Sequence, residues 1–572
     1  MKKIMYEQKP WLSNYPDGVP NEINPEKYEN LIELFDDAFA KNKNHIAYKC
    51  LGKELTFSDW DLISKKISAF IQSFKIQPKS KVAIMLPNLL QNPIIICAVI
   101  RAGFIVVNVN PLYSARELNH QLKDSKAEAI FLLDNFSEVL EKAIDDTQIK
   151  HVVTTSVGDL LGLRGVFINL FLRHIKRKSK EIHLVNEKIK VYKFNKVLKS
   201  KPKNYIFPKE IKTSDAVCLQ YTGGTTGVSK GAVLTHKNLV ANCLQAEAWY
   251  KPALEDMNYD PGKPTSSINQ QSVIICSLPL YHIFAFTACL LLGLKSGMKN
   301  LLIPNPRDFK GFVKTLKKES FHIFPGVNTL FNGLMNQKGF DSLDFSNLRI
   351  SLGGGMAVTK TVAERWQRIT GCPMIEGYGL SETSPVATVV SVNAKNYTGN
   401  VGLPVSSTLV RIADEQEKTL NYDEVGEILI KGPQIMQGYW NNKHETEQVF
   451  SKDGFFKTGD LGTMDEGGFV KIVDRKKDMI NVSGFNVYPN EVEQVVSSNP
   501  MVLECAVVGS SDVIGGELVR LFVVPKQKKL TRKDLISFCR QNLAAYKCPK
   551  EIIFMEELPK TNVGKILRRK LR

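Results

Sequence analysis

Short Val- and Ile-rich runs take turns with amphipathic stretches along most of the chain. The runs at 81–86, 105–109, 129–133, 216–220, 273–278, 322–324 and 349–352 read as strands. Those at 57–74 and 115–123 return an apolar residue every three or four positions, the spacing of helices. Strands alternating with helices predict an α/β architecture with much parallel sheet. The apolar stretch "PIIICAVIRAGFIVVNVN" (93–110) is interrupted by Arg101 and Gly103. A membrane-spanning helix needs about 20 largely apolar residues, so this stretch reads as core. After Asp414 the pattern changes to short strands and Gly-rich turns, as in "DGFFKTGDLG", which predicts a β-rich subdomain over about 414–473. The charged run 474–478 follows and reads as a hinge. Beyond it, 479–572 combines strand-like "ECAVVG" and "RLFVVP" with a helix near 532–543. The expected organisation is therefore a large N-terminal domain (1–473) of two α/β sheet subdomains plus the β-rich one, and a small mobile α+β C-terminal domain.

Composition narrows this picture only a little. The 572 residues exceed one simple core, and 43% apolar with 23% charged is ordinary for a soluble globular protein. A formal charge of +18 favours anionic partners without choosing among phosphates, nucleic acid and an acidic membrane surface. The aromatic–basic interleaving of a nucleic-acid binder is missing. The 10 cysteines are scattered, with no C-x-x-C pair, and read as buried thiols of a reducing compartment. The first residues, "MKKIMYEQKPWL", lack the apolar run of a secretory signal. Residues 159–180 are the exception to an ordinary surface. Leu163, Val166, Phe167, Leu170 and Phe171 share one helical face, and Arg173, Lys176, Arg177, Lys178 and Lys180 follow. Such a basic amphipathic helix either lies on an anionic bilayer or packs its apolar face inward.

The densest chemistry sits in "YTGGTTGVSKG" (221–231). It fails the Walker A spacing, and it fails the dinucleotide G-x-G-x-x-G pattern, as does "GGGMAV" (353–358). Gly227-Val-Ser229-Lys-Gly231 does satisfy G-x-S-x-G, but a nucleophile elbow is a strand–turn–helix, and strand-like "AVLTH" follows here. A hairpin whose glycine backbone and hydroxyls meet a polyphosphate is the reading that survives. Further on, "EGYGLSETSP" (376–385) sets Tyr378 where its face could stack on a base and Glu382 where a carboxylate could hold Mg²⁺. "TGDLG" places Asp460 in a turn suited to ribose hydroxyls. "VDRKKDMINVSGFNVYPNEVE" supplies Arg475, and "LPKTNVGKILRRKLR" supplies Lys565.

This ordered set, spanning essentially the whole chain, resembles the adenylate-forming superfamily of acyl-CoA synthetases, adenylation domains and luciferases. It most resembles the bacterial long-chain fatty acid–CoA ligases, through "VNVNPLYSARELNHQL", "LPLYHIFAF" and "FPGVNTLFN". The resemblance implies an enzyme that joins a fatty acid to ATP, giving acyl-adenylate and pyrophosphate, and then passes the acyl group to coenzyme A. It implies Mg²⁺ as cofactor. The implied partners are the fatty acid, ATP, coenzyme A, an anionic membrane surface and, as an option, a second copy of the chain. The implied location is cytoplasmic, on the inner face of the membrane.

By motif, Thr222, Gly223, Gly224, Thr225, Thr226, Gly227, Ser229 and Lys230 would grip the β- and γ-phosphates. Glu382, with Thr222, would bind Mg²⁺. Gly353, Gly354, Gly355, Glu376, Gly377, Tyr378 and Gly379 would form the adenine side, Asp460 and Arg475 would fix the ribose, and Thr383 would lie near the α-phosphate. Lys565 would bridge carboxylate and α-phosphate, as the catalytic group beside Glu382 and Thr222. Lys477 would be the hinge, the Ser483–Gly484 loop would face coenzyme A, and Tyr281, His282, Phe286 and Val327 would line the acyl tunnel, Phe286 as gate. Two rivals remain at this point: a ligase for medium-chain or aryl acids, and a hydrolase or acyltransferase using Ser229.

Overall fold

The computed structural model describes residues 9–175, 182–184, 186–199, 204–208, 210–222, 229–255, 271–482, 485–511, 517–527, 529–561 and 564–572. Two large mixed sheets dominate the first 400 residues, one of nine strands and one of eight. In the eight-stranded sheet, Lys81–Met85, Ile105–Asn108, Ala127–Leu133 and His151–Thr155 run parallel, and Ala216–Thr222 continues the parallel order. In the nine-stranded sheet, Val273–Cys276, Lys299–Leu302, Ile323–Gly326, Ile350–Gly354 and Met374–Gly379 are the parallel centre. The Val and Ile runs become these strands because both faces of a parallel sheet are covered, leaving no polar side. Local signals set the helix starts. Thr56 and Asp59 cap Phe57–Gln72 reciprocally, and Ser114 and Glu117 do the same for Ala115–Ser125.

The apolar stretch 93–110 splits into the buried helix Gln91–Arg101 and the strand Ile105–Asn108. Arg101 is fully buried at that helix's end. It is tolerated there because its guanidinium pairs with Asp36 and, at 2.7 Å, with Asp61. Among the described residues no helix is long and apolar enough to cross a membrane.

A four-stranded antiparallel sheet, from Leu409–Ala413 to Val470–Arg475, forms the β-rich subdomain, which thus begins five residues before Asp414. The turn Lys476–Asp478 follows. The last part contains the ribbon Ile480–Val482 with Phe485–Val487, the sheet Val502–Ser511, Glu517–Pro525 and Glu551–Phe554, and the helices Pro489–Ser497 and Arg532–Asn542. It keeps its own core around Val507, Leu521 and Leu535, which marks it as a separate small domain.

An aromatic knot holds the nine-stranded sheet to its helices. Trp366 is fully buried with ring centroids of Phe331 at 4.7 Å, Phe324 at 5.4 Å and Phe340 at 5.4 Å, and its indole N–H donates to Ser351 Oγ at 2.8 Å. Trp366→Ala should destabilise the large domain by about 3–5 kcal/mol, the usual cost of emptying so large a site. Urea unfolding followed by the large domain's circular dichroism checks this, and a change under about 1 kcal/mol would show that the knot is not what holds these layers.

Candidate active site

A cleft of about 2180 Å³ opens at the C-terminal ends of the parallel strands, where open α/β sheets hold ligands. The small domain closes its other side. One wall is the base of the hairpin. Ala216–Thr222 pairs antiparallel with Lys230–Thr235, Thr222 opposite Lys230, and the next helix begins only at His236. Ser229 therefore opens a strand and not a helix, which removes the geometry of a nucleophile elbow. Thr222, Ser229 and Lys230 border the cleft. Gly223, Gly224, Thr225, Thr226 and Gly227 lie outside the described residues. The charge of Lys230 is already engaged, because its Nζ stands 2.5 Å from Glu445 Oε2.

The second wall comes from paired strand ends, Gly353 beside Glu376 and Gly354 beside Gly377. Gly354, Gly355, Glu376, Gly377, Tyr378 and Gly379 face the cleft. Gly353 does not; a methyl group there would meet Val358 at 2.4 Å, behind the wall. Gly379 must be glycine, since a Cβ would fall 1.8 Å from the Pro385 carbonyl oxygen. Gly355 adopts a φ of 74°, which turns the chain away under Lys565. Glu376 Oε1 accepts from the Val358 N–H at 3.0 Å, and burial pushes this carboxyl up to about 7.

Asp460 lies buried between two donors. The Tyr378 hydroxyl donates to Oδ2 at 2.8 Å, and Arg475 Nε stands 3.2 Å from Oδ1 across the strand pair. Tyr378 is thus held by its hydroxyl at the cleft wall. Glu382, in the short turn Ser381–Thr383, is also buried, and desolvation raises its pKa. Its Oε1 accepts from the Tyr439 hydroxyl at 2.8 Å. Thr383 corrects an expectation: it is fully buried and absent from the wall, with its hydroxyl bonded to the carbonyls of Leu380 (3.2 Å) and Pro385 in its own turn. The neighbouring Ser381 borders the cleft in its place.

Lys565 enters from the small domain. Thr561 shapes its loop by accepting from Lys565 N at 3.0 Å and Gly564 N at 3.0 Å, and the Thr329 hydroxyl of the large domain donates to Gly564 O at 3.1 Å. The lysine side chain passes so close to Gly355 that a Cβ there would stand 3.4 Å from its Cε. Burial, then repulsion from Arg475, lowers its pKa to about 8, while Asp460 and Glu382 pull the other way. Lys477 borders the cleft in the turn after Arg475. Asp474 just before it accepts from the N–H groups of Arg475 and Asn490, both at 2.7 Å. Ser483 and Gly484 lie outside the described residues.

The cleft continues into an apolar arm. Asn242, Ala246, Trp249 and Tyr250 form one face of His236–Glu255, and Tyr281, His282, Phe284 and Ala288 oppose them. His282 Nδ1 accepts from Phe284 N at 3.3 Å, and burial, then the charge of Lys565, brings its pKa down to about 3, so the ring is neutral. Phe286 and Val327 correct the tunnel expectation. Phe286 is fully buried and turned into the core, and Phe284 occupies the wall position. Val327 lies under the lysine loop, 3.3 Å from where a Cβ on Gly564 would stand.

The oxygen donors suit a hard cation. Glu382 is a buried carboxylate whose second oxygen has no side-chain partner among the described residues, and Thr222 offers a hydroxyl. Among the described residues no three His, Cys, Asp or Glu side chains converge, so such an ion would draw most of its oxygens from phosphate and water. Sequence reasoning missed Tyr439 and Glu445, which carry no motif. The stripe 242, 246, 249 and 250 has helical spacing and could have been found.

The chain matches two family models, "AMP-binding enzyme" over residues 35–440 and "AMP-binding enzyme C-terminal domain" over 491–565. It is 47% identical over 568 residues to a long-chain-fatty-acid–CoA ligase of Yersinia pestis, covering 99% of this chain and 98% of the relative. It is 37% identical over 571 residues to one of Bacillus subtilis, covering 99% and 98%. Among solved structures, an anthranilate CoA ligase holding anthranoyl-AMP superposes with a TM-score of 0.81 at 22% identity, over 96% of this chain and 98% of that one, a likeness of fold. With both models matched in order and the relatives spanned nearly end to end, the chain belongs to the AMP-binding enzyme family.

Proposed function

We propose that the chain is a long-chain-fatty-acid–CoA ligase of the AMP-forming type. The observation that carries this reading is one amine, Lys565, delivered by the small domain into a cleft that joins an apolar arm to a set of nucleotide-shaped polar groups. A fatty carboxylate attacks the α-phosphorus of ATP, and pyrophosphate leaves. The thiol of coenzyme A then attacks the acyl carbon, AMP leaves, and the thiol proton passes to solvent. The first step brings an anion onto a polyanion, so fixed cations must offset the charge that gathers in the transition state.

Lys565 does this between carboxylate and α-phosphate. The hairpin from Thr222 to Lys230 cradles the outer phosphates with backbone N–H groups and hydroxyls. Lys230, bound to Glu445, holds that hairpin's outgoing arm. Adenine lies along Gly354–Gly355 and Gly377–Gly379, with Glu376 accepting from its amino group. The ribose hydroxyls meet Asp460, whose oxygens Tyr378 and Arg475 already orient. Mg²⁺, bound by Glu382 with Thr222, would supply further neutralisation of the phosphates. His282, neutral and capping its turn, shapes the junction with the arm. Rotation at Lys477 withdraws Lys565 and brings residues 483–484 to the acyl-adenylate for the second step.

A peripheral place on the inner face of the cytoplasmic membrane belongs to the same proposal. The helix Leu163–Leu170 turns its apolar face outward: Leu163 is 84% exposed, Phe167 73% and Val166 64%. Its inner side is fixed by close approach of Gly165 to Gly158 and by Asn169, whose Oδ1 accepts from Gly158 N at 2.8 Å. Arg173 follows, exposed. An outward apolar face beside cations fits an anionic bilayer, where long-chain fatty acids reside.

Three outcomes are expected. Lys565→Ala should lower acyl-adenylate formation about 10²- to 10³-fold, measured by pyrophosphate release, and still convert supplied acyl-adenylate and coenzyme A to thioester; equal loss in both half-reactions would sink the role. Because the amine acts as a cation and its ligand-free pKa is about 8, kcat/KM for adenylation should be flat below that pH and fall above it. Lys565→Arg, slower but always charged, should lose that alkaline limb. Finally, the protein should float with anionic liposomes, and replacing Arg173, Lys176, Arg177 and Lys178 by Glu should abolish flotation; unchanged binding would rule out this helix as the anchor.

A further inference from the structure

We infer that Tyr439 is a positioning residue for adenylation: its phenol fixes the metal-binding carboxylate of Glu382 against the strand Lys230–Thr235, so that the two act as one rigid unit. This rests on the ligase reading and names a residue that no sequence motif points to. Tyr439 belongs to the two-residue strand Gly438–Tyr439, which pairs with the outgoing arm of the hairpin, Gly438 opposite Val233 and Tyr439 opposite Ala232. Trp440 N extends this pairing to Gly231 O at 2.8 Å. On the other side the same segment holds the turn of Glu382 by its backbone, Met436 N donating to Glu382 O at 2.8 Å. Residues 436–440 are therefore a clip between the hairpin and the carboxylate, and the phenol closes it.

The geometry of that closure is asymmetric. The hydroxyl donates to Oε1 at 2.8 Å and leaves the other carboxylate oxygen for a cation. A second-layer donor of this kind restricts the carboxylate's rotation. The ring itself is held from behind. Lys230 Nζ lies 5.6 Å from its centroid, and Glu445 keeps that ammonium in place at 2.5 Å. Thr446 fixes the backbone, its hydroxyl accepting from Tyr439 N at 2.9 Å. Lys230 thus serves the carboxylate through Tyr439, in keeping with an ammonium that is already paired.

The test compares Tyr439→Phe and Tyr439→Leu with the parent protein. Mn²⁺ binding is read by electron paramagnetic resonance in the presence of α,β-methylene-ATP, which cannot be cleaved at the reacting bond. Both variants should bind Mn²⁺ more weakly, roughly ten- to hundredfold. In Tyr439→Phe, kcat for adenylation should fall by a similar factor with KM for the fatty acid unchanged, and thioester formation from supplied acyl-adenylate should stay at the parent rate. Parent-like Mn²⁺ affinity would overturn the inference, as would equal losses in both half-reactions. A parent that forms no acyl-adenylate would overturn the ligase reading instead, and the Mn²⁺ comparison would still decide the role of Tyr439.

Discussion

Negative charge buried at the mouth of the nucleotide cleft is the constraint on which the other features depend. Asp460 and Glu382 are each more than nine-tenths buried, and desolvation raises both pKa values. Within the large domain and hinge, Arg475 partners Asp460 directly. Lys477 and Lys565 also act on Asp460, and Lys565 belongs to a different domain. Its own pKa falls to about 8 because burial and Arg475 together outweigh the two carboxylates. An ammonium in that position is only partly compensated, so a polyanion arriving in the cleft would strengthen its hold on the proton and on the site. On the ligase reading with its proposed hinge at Lys477, closure of the small domain and occupation of the nucleotide site are then thermodynamically linked, each favouring the other.

That linkage works only if the closed arrangement is cheap to leave. The bonds across the domain boundary near the lysine are modest: the Thr329 hydroxyl to Gly564 O at 3.1 Å and Arg307 Nη2 to Thr561 O at 3.4 Å. Such bonds contribute about 0.5–1.5 kcal/mol each. The loop's shape, by contrast, is internal to the small domain through Thr561, so it travels intact. Stronger ties sit within the small domain and at the turn Lys476–Asp478. Arg568 reaches Glu493 at 2.8 Å and Asn490 at 2.9 Å, and Arg572 reaches Asp478 at 2.7 Å. On the proposed rotation at Lys477, the tail of the chain stiffens the body that swings, while the bonds that part stay weak.

Much of this was legible in the sequence, and the reason differs from element to element. The parallel strands were readable because burial on both faces gives continuous Val and Ile runs, and the helices at 57–74 and 115–123 because apolar residues return every three or four positions. The hairpin around 221–231 was readable because a strand pattern follows Ser229 where an elbow would need a helix. Direction was not readable. Phe286 and Phe284 are both apolar and two residues apart, and which one meets the cavity depends on a local helix whose turn widens at Phe286–Leu291. Thr383 likewise sits next to a wall residue yet bonds its own turn, since a small hydroxyl can satisfy itself locally. Partnerships between distant segments were beyond the sequence as well. Lys230 with Glu445 and Glu382 with Tyr439 join residues 215 and 57 positions apart by nothing but the fold.

On the ligase reading, the cleft also separates binding from chemistry. In the apolar arm each buried methylene of the acyl chain gains about 0.8 kcal/mol whether the carboxylate has reacted or not. Interactions that are equal in ground and transition state lower KM and leave kcat unchanged. Trp249, with Tyr15 packed edge-on behind it at 5.0 Å, and Ala246 therefore belong to affinity and chain selection. Lys565, Glu382 and the clip through Tyr439 face charge that develops only as the bond to phosphorus forms, and so bear on kcat. The two sets meet at His282, whose neutral ring adds no charge to the junction. On that reading, a neutral junction lets the arm be reshaped by substitution without altering the field at the phosphorus.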